Sequence, residues 1–360
     1  MIKTQARSTV DRSMPVLSRE LRKLITVSTI TLFATFVLMA FFLPLGYMVS
    51  SAFMLDAQRS AQNAPLWPAK AVTYRYQDQD LALYDVPDAN GVVHQWALVK
   101  GYREDSDFVD PAHPEQGVFN WKGRYRTLNP VYQFAPLLDN FPKAWDQVQF
   151  DLLFRNTFLL ALISTIGTLI SCISVAYGFS RFRIPGKNII FLLLMSTIVL
   201  PLQTTIIPLY IFFTKLGWTG TWLPLLVPAF FANAFDVFLL RQYFMSIPRE
   251  LDEAAMIDGA TPLRVLISVI IPQAIPAITA VTLFHFFFVW NDYFAPLVYL
   301  AGKEDLYPIS VGLGKLVSTF SRVPGMAMAS AIMAIALPVV IFFLAQRQFM
   351  QGIVFTGVEK

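Results

Sequence analysis

Few residues of this chain have a type and spacing that could support catalytic or metal chemistry. The three histidines, His94, His113 and His285, are far apart in the sequence, and Cys172 is the one cysteine. A single cysteine cannot form an internal disulfide, and no Cys/His spacing typical of a metal site occurs. No Gly-x-x-x-x-Gly-Lys-Ser/Thr phosphate loop occurs either, so we expect the chain itself to bind no ATP, Mg or other cofactor. The absence of a nucleophile–base pair argues against an enzyme.

The polar residues that do stand out form one segment, residues 246–276, between two apolar runs. We call this segment the hairpin. Its first part, from Arg249 to Ile257, has the residue spacing of a helix. Gly259 favours a left-handed end to that helix, and Thr261 followed by proline favours the start of another. The hairpin is therefore predicted to be a helix, a sharp turn and a second helix, lying against the membrane face.

The hairpin could bind another protein. Ala254 and Ala255 are small, so a partner could approach the backbone closely, while Asp252 and Glu253 offer negative charge to a basic partner. The alternative is an amphipathic hairpin that only lies in the membrane interface. The residue types alone leave both interpretations open.

Two further groups of polar residues could line a path for a solute. One group ends an apolar run and consists of Trp290, Asn291, Asp292 and Tyr293. These residues could line a pore, or they could form the aromatic belt that is common at membrane interfaces. The other candidate is Asp236, because a charge within an apolar run should face protein or water. Asp236 could pair with Arg241 or line a cavity.

The elements that position these residues are predicted membrane spans. The chain is 55% hydrophobic and only 14% charged, whereas soluble domains are roughly 25% charged. This composition predicts an all-α polytopic protein in a lipid bilayer. The sequence pI of about 9.1 could suggest a protein that binds nucleic acid. However, the basic residues are spread over termini and loops, so no nucleic-acid partner is expected.

Six apolar runs reach the roughly 20 residues that cross a bilayer. They are residues 24–55, 156–180, 188–213, 222–244, 273–300 and 326–346. The first run is longer than the apolar part of a signal peptide, so we expect a retained first transmembrane helix. The other five form a predicted transmembrane core, residues 151–346. Basic residues in the tail 1–23 place the N-terminus in the cytoplasm. Four spans then return the hairpin to that side, and six return the tail 347–360.

Residues 56–150 have a different composition, with many charges, prolines and aromatics. Alternating patterns at 72–76 and 92–99 flank a turn signal at 87–91. The pattern predicts a small β-rich insert of four to six short strands. With the N-terminus inside, this insert lies outside, in the periplasm.

Several motifs in the C-terminal half match a known family. Glu253-Ala254-Ala255 is followed after three residues by Gly259, and the segment closes on Ile-Pro at 271–272. The neighbouring Asp258 and the tetrapeptide 290–293 fit the same pattern. The hairpin resembles the EAA loop of binding-protein-dependent ABC importer permeases. The C-terminal half is most similar to the maltose-type inner-membrane subunit, with Val269 and Ile271 as conservative departures at the two aliphatic positions of the closing segment.

This resemblance implies a transport subunit with six transmembrane helices. The loop would dock in a cleft of a separate cytoplasmic ATPase dimer, which binds the ATP and Mg. Glu253 would be the acidic contact and Gly259 the turn, with Ala254, Ala255 and Asp258 completing the loop. Further implied partners are a second permease subunit, in a heterodimer, and a periplasmic sugar-binding protein. The implied location is the bacterial inner membrane.

The implied cargo is a carbohydrate, such as an oligosaccharide or a glucoside. A polyol or glycerol phosphate is the alternative cargo. The insert, at about 56–135, is longer than the family's usual first outer loop, and we expect it to contact the binding protein or the partner permease. A secondary transporter is a different alternative, but it would couple to ions through intramembrane acids, which are nearly absent apart from Asp236.

Overall fold

The computed structural model describes residues 16–61, 63–88, 91–319 and 324–354. Residues 1–15 of the predicted N-terminal tail and 355–360 of the predicted C-terminal tail lie outside the described residues. The described chain divides into two compact units. The first comprises residues up to 51 together with 63–134, and the second comprises 52–61 together with the residues after 134.

The first unit contains the long helix α1 and an antiparallel β-structure. The bounds are α1 Val16–Ala52, β1 Ala69–Ala71, β2 Thr73–Tyr76, β3 Gln79–Pro87, β4 Val93–Gly101, β5 Ser106–Val109, β6 Val118–Trp121, β7 Asn129–Pro130 and β8 Tyr132–Phe134. Strands β2 to β6 follow one another in the main sheet, β7 pairs with β3, and β1 pairs with β8 in a second small sheet. Buried residues pack on both faces of the main sheet, including Val109 on one face and Phe108 on the other.

The prediction of four to six strands was too low, since the described residues form eight. The turn predicted at 87–91 does join two strands, β3 and β4. Strand β3 lies between β2 and β4, and most of its side chains are partly buried on both faces. A strand that is partly buried on both faces needs apolar residues on both. The sequence of β3 therefore lacks the strict alternation of apolar and polar residues that predicts a strand.

The second unit is helical. Its helices are α2 Asp56–Ser60, α3 Asn140–Val148, α4 Phe150–Arg181, α5 Lys187–Ser196, α6 Leu202–Lys215, α7 Leu223–Leu226, α8 Ala234–Ser246, α9 Arg249–Ile257, α10 Pro262–Val265, α11 Ile271–Gln273, α12 Ile275–Asn291, α13 Phe294–Tyr299, α14 Ile309–Thr319 and α15 Pro324–Val354. Helix α4 contributes to both large cores of this unit, one built around Phe244 and Ile270 and the other around Trp290 and Leu300.

Four helical segments among the described residues are long and apolar enough to cross a membrane, and two bent pairs raise the count to six if each is one span. The predicted run 188–213 is one such pair, because α5 and α6 differ in direction by 102°. Pro201, in an extended conformation, precedes α6. Proline cannot donate the backbone hydrogen bond that would continue α5, so the run breaks there.

Candidate functional site

The hairpin folds as its sequence predicts up to its second turn. Helix α9 ends where Gly259 adopts a left-handed φ of +84°. The backbone N–H of Ala260 donates to the carbonyl of Ala255 at 2.9 Å, which closes the helix end. Thr261 then caps α10, since its hydroxyl accepts a hydrogen bond from the N–H of Arg264. The predicted helix, turn and second helix are confirmed.

Beyond α10 the hairpin departs from a simple helix. Residues 266–270 form a π-helical turn, and α11 then meets α12 at an 82° bend. Pro272 and Pro276 lie on either side of this bend, and neither can donate a backbone hydrogen bond to the preceding turn. The Tyr243 hydroxyl donates to the carbonyl of Gln273 at the bend, which ties this corner to α8.

A buried ion pair clamps the first half of the hairpin to α4. Arg181 Nε lies 2.7 Å from Asp252 Oδ2, and both side chains are 7% exposed. Arg181 also donates to the carbonyl of Ile247, and Arg249 donates to that of Ser180. Burial raises the pKa of the Asp252 carboxyl, while the neighbouring Arg181 and Arg249 offset part of the rise. The expectation that Asp252 offers its charge to another protein is therefore wrong.

The opposite face of the hairpin is open. Glu253, Ala254, Asp258 and Gly259 are exposed, whereas Ala255 is partly buried in the core that joins α4 to α8. Large apolar side chains are exposed beside them. They are Leu251 at 41%, Met256 at 50%, Ile257 at 86% and Leu263 at 65%. An acidic residue, small residues and large apolar side chains of α9, α10 and the turn between them are thus accessible, which suits contact with another protein.

A second candidate site is a cavity within the helical unit, with a volume of about 200 Å³. We call it the polar cavity. It lies between α4, the turn before α8, and α12. Its polar lining residues are Thr157, Ser164, Thr168, Asn233, His285 and Asp292. By comparison, a single water needs roughly 10–15 Å³ by the same kind of measure, so the cavity has room for a small solute.

His285 is the centre of a hydrogen-bond network beside the polar cavity. Its Nε2 lies 2.9 Å from Ser164 Oγ and 3.1 Å from Thr168 Oγ1. Its Nδ1 lies 3.6 Å from Asp236 Oδ2. Asn233 donates to that same carboxylate oxygen at 2.6 Å and caps α8. The intramembrane charge of Asp236 therefore faces protein groups, as expected.

Neither alternative offered for Asp236 holds, since it does not pair with Arg241 and is not among the residues that line the polar cavity. The guanidinium of Arg241 lies instead 4.3 Å from the centre of the Phe191 ring. Residues five positions apart on a helix point to different faces, so Arg241 turns away from the Asp236 side of α8. The actual neighbours, Asn233 and His285, include a residue from another helix.

Ser164, His285 and Asp236 meet in the order of a hydrolase triad. Ser164, however, lies well inside α4, where backbone N–H groups donate within the helix. The N–H groups of α4 itself are therefore not free to hold an oxyanion beside Ser164 Oγ. The arrangement suits binding of hydroxyl groups rather than acyl transfer.

Comparison with known proteins identifies the family. The family described as "Binding-protein-dependent transport system inner membrane component" matches residues 167–354, which include the hairpin and the 290–293 tetrapeptide. The chain belongs to this family. It is thus a multi-pass membrane permease of a binding-protein-dependent ABC importer, as the EAA-like residues predict.

Individual relatives agree with this assignment. The permease is 34% identical over 208 residues to the osmoprotective compounds uptake permease protein GgtD of Synechocystis sp., covering 58% of this chain and 70% of that protein. It is 34% identical over 211 residues to the sn-glycerol-3-phosphate transport system permease protein UgpE of Rhizobium meliloti, covering 58% and 74%. A chain of a bacterial ABC transporter involved in alginate import has the same fold, with a TM-score of 0.62, 21% identity and coverage of 92% and 97%.

The permease does not bring its predicted solute-path residues to one place. Trp290 is buried in the core, where its indole donates to the carbonyl of Ala334. Asn291 is exposed and donates to its own helix, and Tyr293 is 44% exposed. Of the tetrapeptide, Asp292 is the residue that lines the polar cavity.

Sequence reasoning missed Ser164 and Thr168 as functional candidates. They lie one helical turn apart on α4, in an apolar run in which isolated hydroxyls commonly bond to their own helix. A possible signal was the coincidence of polar side chains in three separate runs, at Ser164, Asp236 and His285, since each such residue needs a partner inside the membrane.

Proposed function

We propose that this permease is a transmembrane subunit of an ATP-driven importer that moves carbohydrate from a periplasmic binding protein into the cytoplasm. The chain would span the bacterial inner membrane six times, with each bent helix pair as one span. Both termini and the hairpin would face the cytoplasm, and the β-rich insert at 56–150 the periplasm. Basic residues near the first span and in the connector before α5 support this orientation.

One observation carries the proposal. The hairpin is held to α4 through the Arg181–Asp252 pair on one face, and it exposes Glu253, Gly259 and apolar side chains on the other. A rigidly held element with an uncovered, partly apolar surface suits the transmission of force from a second protein. That protein would be a separate ATPase dimer, which binds ATP and Mg, and Glu253 would be the acidic contact.

The remaining partners follow from the same proposal. A second permease subunit would complete a heterodimer, and a periplasmic sugar-binding protein would deliver the cargo. The insert would contact the binding protein or the partner permease. If it does, deleting residues 60–130 should weaken binding-protein affinity, and unchanged affinity and transport would contradict that role.

Relatives support a carbohydrate cargo. They include an arabinooligosaccharides permease of Bacillus subtilis at 29% identity and a lactose permease of Rhizobium radiobacter at 30% identity. A polyol or glycerol phosphate remains the second candidate, since the UgpE relatives transport sn-glycerol 3-phosphate by name.

Substitution of Glu253 tests the coupling surface. In the full reconstituted complex, Glu253→Gln should lower ATPase activity stimulated by liganded binding protein about tenfold, since losing a charge-assisted contact of about 1.5–3 kcal/mol has at least that effect. Glu250→Gln is the matched control, because Glu250 is an exposed carboxylate on the same helix. Equal activity of the two variants would contradict the proposed contact.

A further inference from the structure

The polar cavity has a composition that distinguishes among classes of solute. We propose that it binds one ring of an uncharged, hydroxyl-rich solute and that the importer therefore carries neutral carbohydrates or polyols rather than anions. This inference rests on the proposed function and adds a site and a substrate class to it.

Hydrogen-bond capacity is the first argument. The Ser164 and Thr168 hydroxyls both lie within hydrogen-bond distance of His285 Nε2, at 2.9 and 3.1 Å. The Thr168 hydroxyl donates to the carbonyl of Ala229 at 3.2 Å. Each hydroxyl oxygen has two lone pairs, so Ser164 and Thr168 can both still accept hydrogen bonds. They match the hydroxyl groups of a sugar or polyol, which donate and accept.

Charge is the second argument. Among the described residues that line the polar cavity, none is a lysine or an arginine. Asp292 lines the cavity, and the carboxylate of Asp236 lies directly behind His285. A phosphate or carboxylate in this space would meet the Asp292 carboxyl, with that of Asp236 behind His285 and no lysine or arginine in the lining, in surroundings of low dielectric constant. The cavity therefore disfavours glycerol phosphate and uronate sugars.

The apolar lining is the third argument. Phe231 and Phe288 both line the polar cavity, and their side chains are 73% and 65% exposed. Such rings can pack on the C–H face of a sugar. They could also attract a quaternary ammonium group, but phenylalanine is a weaker partner for cations than tryptophan. A quaternary ammonium would also leave the hydroxyls of Ser164 and Thr168 without a hydrogen-bonding solute.

A competition among several probe solutes tests the substrate class, whatever the natural cargo is. The complete transporter, with its binding protein and ATPase, is reconstituted in proteoliposomes and offered an equimolar mixture of probes. The mixture contains maltose, trehalose, lactose, sorbitol and glucosylglycerol as neutral probes, sn-glycerol 3-phosphate and digalacturonate as anions, and glycine betaine. Mass spectrometry then identifies what accumulates with ATP. We expect a neutral polyhydroxy probe to accumulate at least tenfold above every charged probe.

The possible results separate the two proposals. ATP-dependent accumulation of an anion or of glycine betaine in place of a neutral probe would overturn the substrate class and leave the importer function standing. A complex that accumulates no probe with ATP would count against both.

Substitutions then test whether the polar cavity is the site. In the double variant Ser164→Ala/Thr168→Val, the amount of neutral probe imported per ATP hydrolysed should fall about tenfold, while stimulated ATPase activity stays near that of the parent. The single variant Thr168→Ser keeps a hydroxyl at this position. It should therefore import most of the neutral probe per ATP that the parent imports. A purely structural role would instead lower ATPase activity and import together, so the ratio of the two is the decisive readout.

Thr165→Val is the matched control. Thr165 is buried on α4 between the two tested residues, but it does not line the polar cavity. Its substitution should leave import per ATP unchanged. If the Ser164→Ala/Thr168→Val variant imports as much neutral probe per ATP as Thr165→Val, the proposed site is wrong.

Discussion

At the scale of single residues, the Arg181–Asp252 pair fixes how the hairpin is attached. Both charges are almost fully buried, and the Asp252 Oδ1 atom has no hydrogen-bond partner among the described residues. Desolvation of such a pair offsets most of its Coulomb attraction, so its net contribution to stability is small. Its main effect is to specify one position of α9 against α4, and removal of either partner alone leaves a buried charge.

Arg181→Gln should destabilise the permease by about 3–5 kcal/mol at neutral pH, because Asp252 then stays charged and buried. The pKa of Asp252 is already raised by burial, and it rises further without Arg181. A carboxyl whose pKa is higher in the folded state than in the unfolded state stabilises the fold when protonated. The deficit should therefore shrink as pH falls from 8 to 5, as measured by thermal unfolding in detergent.

Arg183→Gln is the control. Arg183 is exposed and lies two residues after Arg181, at the start of the connector between α4 and α5, so its substitution removes the same charge without touching the buried pair. It should leave the unfolding temperature nearly unchanged at every pH. Equal effects of the two variants would show that net charge, and not the buried pair, causes the change.

Asp236 illustrates what the sequence can predict about a residue. That an acid in an apolar run must face protein or water follows from solvation energy alone. Its partner does not follow, because His285 belongs to a different helix and meets Asp236 only after α8 and α12 pack. Pairing between distant segments depends on tertiary geometry, which a single sequence does not reveal. The network at the polar cavity was missed for the same reason.

At the scale of elements, the turn between α9 and α10 was predictable, because it depends on local chemistry. Gly259 supplies the positive φ, and Thr261 and Pro262 start the next helix. The direction of the chain at Pro201 and at the α11–α12 bend was not predictable. A proline indicates that a helix can break, but packing decides whether the helix kinks slightly or turns sharply.

Gly259→Ala should destabilise this turn by about 1–2 kcal/mol, since only the left-handed backbone conformation opposes a side chain there. A Cβ at Gly259 would meet no atom within 4 Å. Hydrogen exchange at the N–H of Ala260, which closes the helix end, should accelerate correspondingly.

Gly178→Ala provides a control of opposite sign. A Cβ at Gly178 also meets no atom within 4 Å, but the residue lies inside α4. Alanine should therefore be neutral or stabilise the helix by about 0.5–1 kcal/mol. If both variants exchange alike at Ala260, backbone conformation does not control the turn.

At the scale of the whole molecule, the proposed topology places the insert and the hairpin on opposite sides of the membrane. The chain is well suited to a test, because Cys172 is its one cysteine and is buried. In a Cys172→Ala background, Glu115→Cys in the insert should react with a membrane-impermeant maleimide in intact spheroplasts. Asp258→Cys in the hairpin should react only after permeabilisation. The reverse pattern, or labelling of both sites in intact cells, would contradict the orientation.

The central claim is that ATP hydrolysed by another subunit drives import through this permease. The most direct measurement is solute accumulation in proteoliposomes that contain the full complex, with ATP enclosed on the hairpin side and liganded binding protein on the insert side. We expect accumulation that requires both ATP and binding protein and that ceases when a non-hydrolysable analogue replaces ATP. Accumulation driven by an ion gradient without ATP would contradict the claim and would favour a secondary transporter.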